Sequence, residues 1–342
     1  MDPLFESTVG QPAVKELLAL ALKNRQFSHA YLFEGPAGLG KETLAREFAA
    51  AILCTGEAPP CHQCKSCRQV SAGTHPEFRW ILPEDPEKDT SLSVDTIRSL
   101  IKDIYLKPYE GDWKIYVIPR ADIMTFQAQN ALLKTLEEPP DHAVMLLTTD
   151  RPDKLLPTVL SRCQRASFRP VSREAVKSWL LKHYQLEPFQ AKQLAAYANG
   201  TPERAVKKLE SESHRQMHQL FLNLTDALAE GQLSPLLEAG EFLQADKNRT
   251  LEILALWQEW IRDLQVMALK GETDMLIHQD QEERLQRQEF FLNPAGFSRA
   301  HGLLEEARED LLNHGNLAFV TDMILINLLD CLVPSASPGP WR

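Results

Sequence analysis

At 342 residues the chain exceeds one ordinary hydrophobic core, so two or three domains are expected. Apolar residues make up 44% and charged residues 25%, the balance of a soluble globular chain. With 37 basic against 47 acidic side chains the formal charge is −10. That excludes a protein gripping nucleic acid over its whole surface, while leaving room for a local basic edge. The opening MDPLFESTVGQPAV has neither a basic nor an apolar leader region, and no stretch approaches the roughly 18 apolar residues of a membrane span. A cytoplasmic protein is expected.

In chain order, the first signal is an apolar run at 30–33, read as a β-strand. It leads into Gly35-Pro-Ala-Gly-Leu-Gly40-Lys41 and then an Ala- and Leu-rich helix. The backbone N–H groups around Gly35, Gly38 and Gly40, with a helix N-terminus behind them, form an anion nest. Lys41 can reach the β/γ-phosphates of ATP or ADP from there. The full pattern needs Ser or Thr directly after the lysine as a Mg²⁺ ligand. Here that residue is Glu42, and Thr43 follows one position late, about 100° around the helix.

Four of the six cysteines come next, as Cys54-x6-Cys61-x2-Cys64-x2-Cys67. In a reducing cytosol this spacing suits thiolates converging on one structural Zn²⁺. Free thiols, or a site completed by His62 or His75, are the alternatives. Cys163 and Cys331 stand alone and read as packed thiols.

Further β-like runs follow at 78–82, 115–118 and 143–147, with a weaker one at 164–168. Between them, Ile97, Leu100, Ile101 and Ile104 recur at helical spacing, as do Met124, Ala128, Ala131, Leu132 and Leu136. Strands alternating with helices, without hairpin signals, predict right-handed crossovers and a mostly parallel sheet covered on both faces. The third run enters Pro119-Arg120-Ala121-Asp122, where a Walker B strand would end in an acidic pair. Together with Glu42, this argues against intrinsic ATP hydrolysis.

From residue 169 the strand-like runs stop. Helices are predicted over 172–182, over 187–198 with an Asn199-Gly200 stop, and from 201 to 209. Longer helices follow. One carries Leu251, Leu254, Trp257, Ile261, Leu264 and Ala268 on a face; another carries Leu317, Val320, Ile324 and Leu328. Extra apolar residues beside both stripes, Trp260 and Phe319 among them, predict burial on more than one side, within the chain or against other subunits. Residues 334–342 are expected to be disordered. Charge is uneven: residues 1–168 carry 19 basic and 22 acidic groups, a net of −3, leaving −7 for the remainder.

Several segments together resemble the AAA+ subunits of the bacterial sliding-clamp loader. They are Ala128-Gln-Asn-Ala-Leu-Leu-Lys-Thr-Leu-Glu-Glu-Pro-Pro140, Leu155-Leu-Pro-Thr-Val-Leu-Ser-Arg-Cys163, and the cysteine module after the phosphate-loop helix. The resemblance covers nearly the whole chain. It implies an α/β AAA+ module of the P-loop NTPase type at 1–168, with a zinc module inserted at 54–67. A three-helix lid at 169–210, an all-α collar for oligomerisation at 211–333 and the tail at 334–342 complete the division.

Motor subunits of this family (tau/gamma) would keep the magnesium-binding Thr and the acidic pair, and the delta subunit usually lacks Ser-Arg-Cys. By resemblance, the combination here implies a non-hydrolysing stator, in which Arg162 would act as an arginine finger in trans. Thr148 or Thr149 stands at the sensor-1 position and Arg204 at the sensor-2 position. The implied partners are the tau/gamma and delta subunits and, through the complex, the sliding clamp and primer–template DNA, with no membrane. Nothing resembles a polymerase site, so any polymerase reaction would belong to the assembly. The alternatives are an AAA+ subunit with its own ATPase activity, or a zinc-bearing module outside replication. Lys102, Lys107, Lys114, Arg151, Lys154 and Arg165 are scattered basic residues that read, one by one, as solvated surface.

Overall fold

The computed structural model describes residues 4–84, 91–291, 294–313 and 315–333, so the tail at 334–342 lies outside it. The chain divides into two compact units, one of residues 1–179 with 200–203 and the other of 180–199 with 204–342.

The first unit begins with α1 (Pro12–Asn24), β1 (Ala30–Glu34), α2 (Lys41–Ile52) and α3 (Lys65–Ala72). It continues through β2 (Phe78–Trp80), α4 (Val94–Ile104), β3 (Lys114–Ile118), α5 (Phe126–Glu137), β4 (Ala143–Thr149), the short α6 (Pro157–Leu160) and β5 (Gln164–Ser167). The five strands form one parallel sheet in the order β2-β3-β4-β1-β5. All five strand expectations are met within two residues at each end.

Because successive strand residues face opposite ways, each strand feeds two cores. Tyr31, Phe33, Ile115, Val117, Val144 and Leu146 pack with Leu44 and Phe48 of α2 and Leu18 of α1. Leu32, Tyr116, Ile118, Met145 and Leu147 pack with Ile97, Leu100 and Ile104 of α4 and with Ala128, Leu132 and Leu136 of α5. Full burial of a side chain such as Leu132 is worth about 1.5–3 kcal/mol. Side-chain caps start α4 and α5: Ser93 Oγ accepts from Thr96 N at 3.1 Å and Thr125 Oγ1 from Ala128 N at 3.2 Å. The sheet thus brings the C-terminal ends of β1, β3 and β4 to one edge, where ligands bind in open parallel sheets.

The second unit is helical. α7 (Arg173–Tyr184) and α9 (Pro202–Glu210) each contribute residues to both units, and α8 (Pro188–Ala198) ends at Asn199 in the left-handed conformation, φ 46°. Then come α10 (Glu212–Ala229), α11 (Leu233–Gln244), α12 (Lys247–Ala268), α13 (Glu282–Phe291), α14 (Phe297–Leu312) and α15 (Leu317–Leu332). Leu254, Trp257, Ile261 and Leu264 are buried as their spacing predicts, and Trp260 is buried beside them. Phe319 is not covered within the chain. It is 67% exposed, because α15 packs through Val320, Ile324, Leu325 and Leu328 and turns Phe319 outward. No helix of the described residues is long and apolar enough to cross a membrane.

Candidate functional site

The phosphate loop joins β1 to α2. Gly35 has φ +136°, and a Cβ there would sit 2.4 Å from the Phe168 carbonyl oxygen; Gly38 has φ +74° and faces Thr201 at 2.5 Å. Side chains at either position would break the loop, which accounts for these glycines. Gly40 is the left-handed residue that starts α2, so the N-terminus of α2 opens on the loop.

Lys41 is 6% exposed. Its Nζ donates to the carbonyl oxygens of Gly35 and Pro36, each at 2.7 Å, and lies 2.5 Å from the Asp150 carboxylate. Asp150 follows β4, whose end is tied to the loop by Gly35 N donating to Thr149 O at 3.2 Å. Glu203 N donates to Gly38 O at 3.3 Å, placing that residue over the loop. Partial desolvation, with Glu203 and Asp150 nearby, pushes the Glu42 carboxyl above the usual carboxylate range. Thr43 does not turn toward Lys41; it lines a cavity of about 390 Å³ with Glu42, Arg46, Glu47 and Trp80.

The end of β3 carries no acidic pair, since Pro119 and Arg120 occupy it, Arg120 with φ 49°. Thr148 Oγ1 accepts from Arg120 N at 3.1 Å. Thr149 Oγ1 donates to Asp122 at 2.9 Å and accepts from Arg151 N at 3.0 Å. Both threonines are therefore buried in bonds to the turn after β3. Of the nucleotide candidates, Gly35, Gly38, Gly40, Lys41 and Thr149 converge in the α/β unit. Arg204 belongs to the helical unit, where it forms a two-point pair with Glu259, NH2 to Oε2 at 2.7 Å, over the Tyr197 ring.

Arg162 sits on the turn between α6 and β5. Its carbonyl is 3.0 Å from the His29 ring, anchoring the backbone to the loop before β1. Its guanidinium donates to Thr158 O at 2.9 Å and Ser161 Oγ at 3.3 Å, and pairs with Glu137 at 2.7 Å. The side chain remains 34% exposed. Two of the scattered basic residues are spoken for: Lys114 lies 3.3 Å from Asp103, and Arg165 makes two bonds to Glu34.

The sulfurs of Cys54, Cys61, Cys64 and Cys67 all lie within 4.8 Å of one another, with Cys54–Cys64 and Cys61–Cys67 at 4.0 Å. A tetrahedral metal with bonds of about 2.3 Å requires sulfur separations of about 3.8 Å, so these four residues fit one. Backbone N–H groups of Gly56, Cys64 and Cys67 point at the sulfurs of Cys54, Cys61 and Cys64 at 3.3–3.4 Å, the outer contacts that favour thiolates. Neither His62 nor His75 joins the group; His75 instead accepts from Glu77 N at 3.1 Å.

Asp150, Glu203 and Glu137 were not legible as site residues. Each is an acid on an ordinary loop or helix end, and only the fold brings it against Lys41, Gly38 or Arg162.

The sequence profile of the family described as DNA polymerase III, delta subunit, matches residues 10–172. The chain is 36% identical over 219 residues to DNA polymerase III subunit delta' of Pseudomonas aeruginosa, covering 63% of this chain and 66% of that one. It is 36% identical over 194 residues to the delta' subunit of Bacillus subtilis, covering 56% and 57%. It is 35% identical over 214 residues to the tau subunit of Bacillus subtilis, covering 60% and 37%. The matched segments thus span between 37% and 66% of these relatives' lengths. A solved DNA polymerase III gamma-subunit-related protein from Thermotoga maritima shares the fold at TM-score 0.52 and 17% identity, over 92% of this chain and 99% of that one. The chain is thus similar to delta' and tau subunits of DNA polymerase III, and the matching family profile falls on the residues that carry the parallel sheet, the phosphate loop and the four-cysteine cluster.

Proposed function

We propose that the chain is a non-hydrolysing stator of a DNA polymerase III clamp loader. It supplies Arg162 in trans to ATP held by a neighbouring tau/gamma motor subunit while the complex, with a delta subunit, loads the sliding clamp onto primed DNA. The observation that carries this proposal is the contrast at Arg162: an anchored backbone under an accessible guanidinium. An arginine so placed can neutralise charge on a transferring γ-phosphoryl group.

The chain's own site lacks two parts a hydrolase needs. Glu42 stands where the Mg²⁺-ligating hydroxyl belongs, and Pro119-Arg120 where the acidic pair belongs. The matches to tau subunits keep an independent ATPase as the competing proposal, and these two losses argue against it. The proposed division is an AAA+ module at 1–168, a lid at 169–210 and a collar at 211–333. The outward Phe319 of α15 supports a collar that meets other subunits. A cytoplasmic, replisome-bound protein follows from this role.

Reconstitution with motor and delta subunits tests the assignment. Arg162→Ala is expected to leave assembly intact and to cripple ATP-driven loading; unchanged loading overturns the role. The cysteine cluster is assigned a structural Zn²⁺, which ties the α2–α3 connection together. Elemental analysis of purified protein should return about one zinc per chain, and chelation should loosen residues 54–67 without unfolding the sheet.

A further inference from the structure

The geometry points to Asp150 as the residue that decides whether this phosphate loop accepts a nucleotide. Its carboxylate serves as a built-in counter-ion to Lys41 that a polyphosphate must displace.

A lysine ammonium has three protons and no acceptor. Here the oxygens of Gly35, Pro36 and Asp150 take all three, at 2.7, 2.7 and 2.5 Å. At 6% exposure Lys41 has little room for a further partner, so a phosphate oxygen can bind it only by exchange. The two carbonyls belong to the backbone of the loop and move only with it. Asp150 can leave, because its side chain is 38% exposed.

The backbone carrying Asp150 is held on both sides. Thr149 O accepts from Gly35 N, and Thr149 Oγ1 bridges Asp122 and Arg151 N. Displacement is therefore a side-chain rotation and needs no loop rearrangement. Two further acids oppose an incoming anion. Glu203 is bonded through its N–H to Gly38 O, and its Oε2 stands 3.1 Å from where a Gly38 side chain would begin. Glu42 is the second residue of α2, and its raised carboxyl pKa reports the crowding by Glu203 and Asp150 after desolvation. The nest keeps its shape, while its charge is already spent.

The test uses the isolated 342-residue chain and does not depend on the assignment to a clamp loader. Mg²⁺–ATP binding is measured by calorimetry for the wild type, Asp150→Asn and Asp150→Asn/Lys41→Ala. The expected result is an affinity at least tenfold higher in Asp150→Asn than in the wild type, with the gain lost in the double variant. Sodium tripolyphosphate should reproduce the order, since the contest concerns phosphate charge and not the base. Glu203→Gln should give a smaller gain. Equal affinities in wild type and Asp150→Asn, within twofold, overturn the proposal, as does a gain that survives removal of Lys41. Should Asp150→Asn fail to fold, Asp150→Ser removes the same charge with a smaller side chain and is read by the same criteria.

Discussion

Two cations of this molecule invite a role in nucleotide chemistry, and they are held in opposite ways. Lys41 lies buried in the phosphate loop with three acceptors from its own chain. Arg162 lies on a turn with its backbone anchored and its guanidinium in reach of solvent. A buried ammonium whose protons are all taken has little to offer a ligand unless a partner moves. An exposed ion pair is worth only about 0–1 kcal/mol, so the Arg162–Glu137 contact can be exchanged for a phosphate at small cost. The comparison teaches that motif completeness and availability are separate properties. The better-preserved motif belongs to the less available cation.

The largest effect that could break this comparison is at Arg162. Arg162→Ala should lower ATP turnover at the neighbouring motor site by about 10³-fold in the reconstituted complex, the scale of an arginine finger. A loss below tenfold in single-turnover assays would make Arg162 an ordinary surface residue. Next comes Lys41→Met, which leaves Asp150 to rehydrate at the surface and two loop carbonyls without their donor. We expect a loss of about 1–3 kcal/mol in denaturant unfolding, with turnover of the loader changed less than twofold. A collapse of turnover instead would show that Lys41 is in use after all. The smallest effect is at Glu137. Glu137→Gln frees the Arg162 guanidinium of a charged partner, and should raise turnover by no more than about fivefold, the upper range of a surface pair. In an Arg162→Ala background it should do nothing.

The architecture was largely legible because it rests on periodicities. Apolar runs at 30–33, 115–118 and 143–147 can satisfy their backbone only as strands buried on both faces, and they became β1, β3 and β4. Asn199-Gly200 stopped α8 for the local reason expected, a backbone that turns left-handed. Cys61, Cys64 and Cys67 met as their spacing required, since residues three apart cannot stray far from one another, and Cys54 joined them across a six-residue connection. Phe319 shows what its stripe left open, burial within the chain or against another subunit: this chain does not cover it. Apolarity says a side chain prefers cover, and only the packing of α15 says whether this chain provides it.

The candidate site was legible in its donors and illegible in their acceptors. Gly35, Gly38, Gly40, Lys41 and Arg162 announce themselves through short-range motifs, where chain connectivity alone sets the geometry. Asp150 lies 109 positions from Lys41, and Glu137 lies 25 from Arg162. Asp150 has no local pattern and the motif around Glu137 does not point to Arg162, so each acquires its role from strand order or helix packing. Arg204, placed by position at a nucleotide, is held in the helical unit by Glu259, a partner 55 residues away.

By itself, then, the sequence determined the elements, the phosphate loop's shape and the grouping of the cysteines, all consequences of contacts within a few residues along the chain. The tertiary structure alone decided which charges are spent and which are available. Electrostatic pairing depends on distance and burial, and both are properties of the fold.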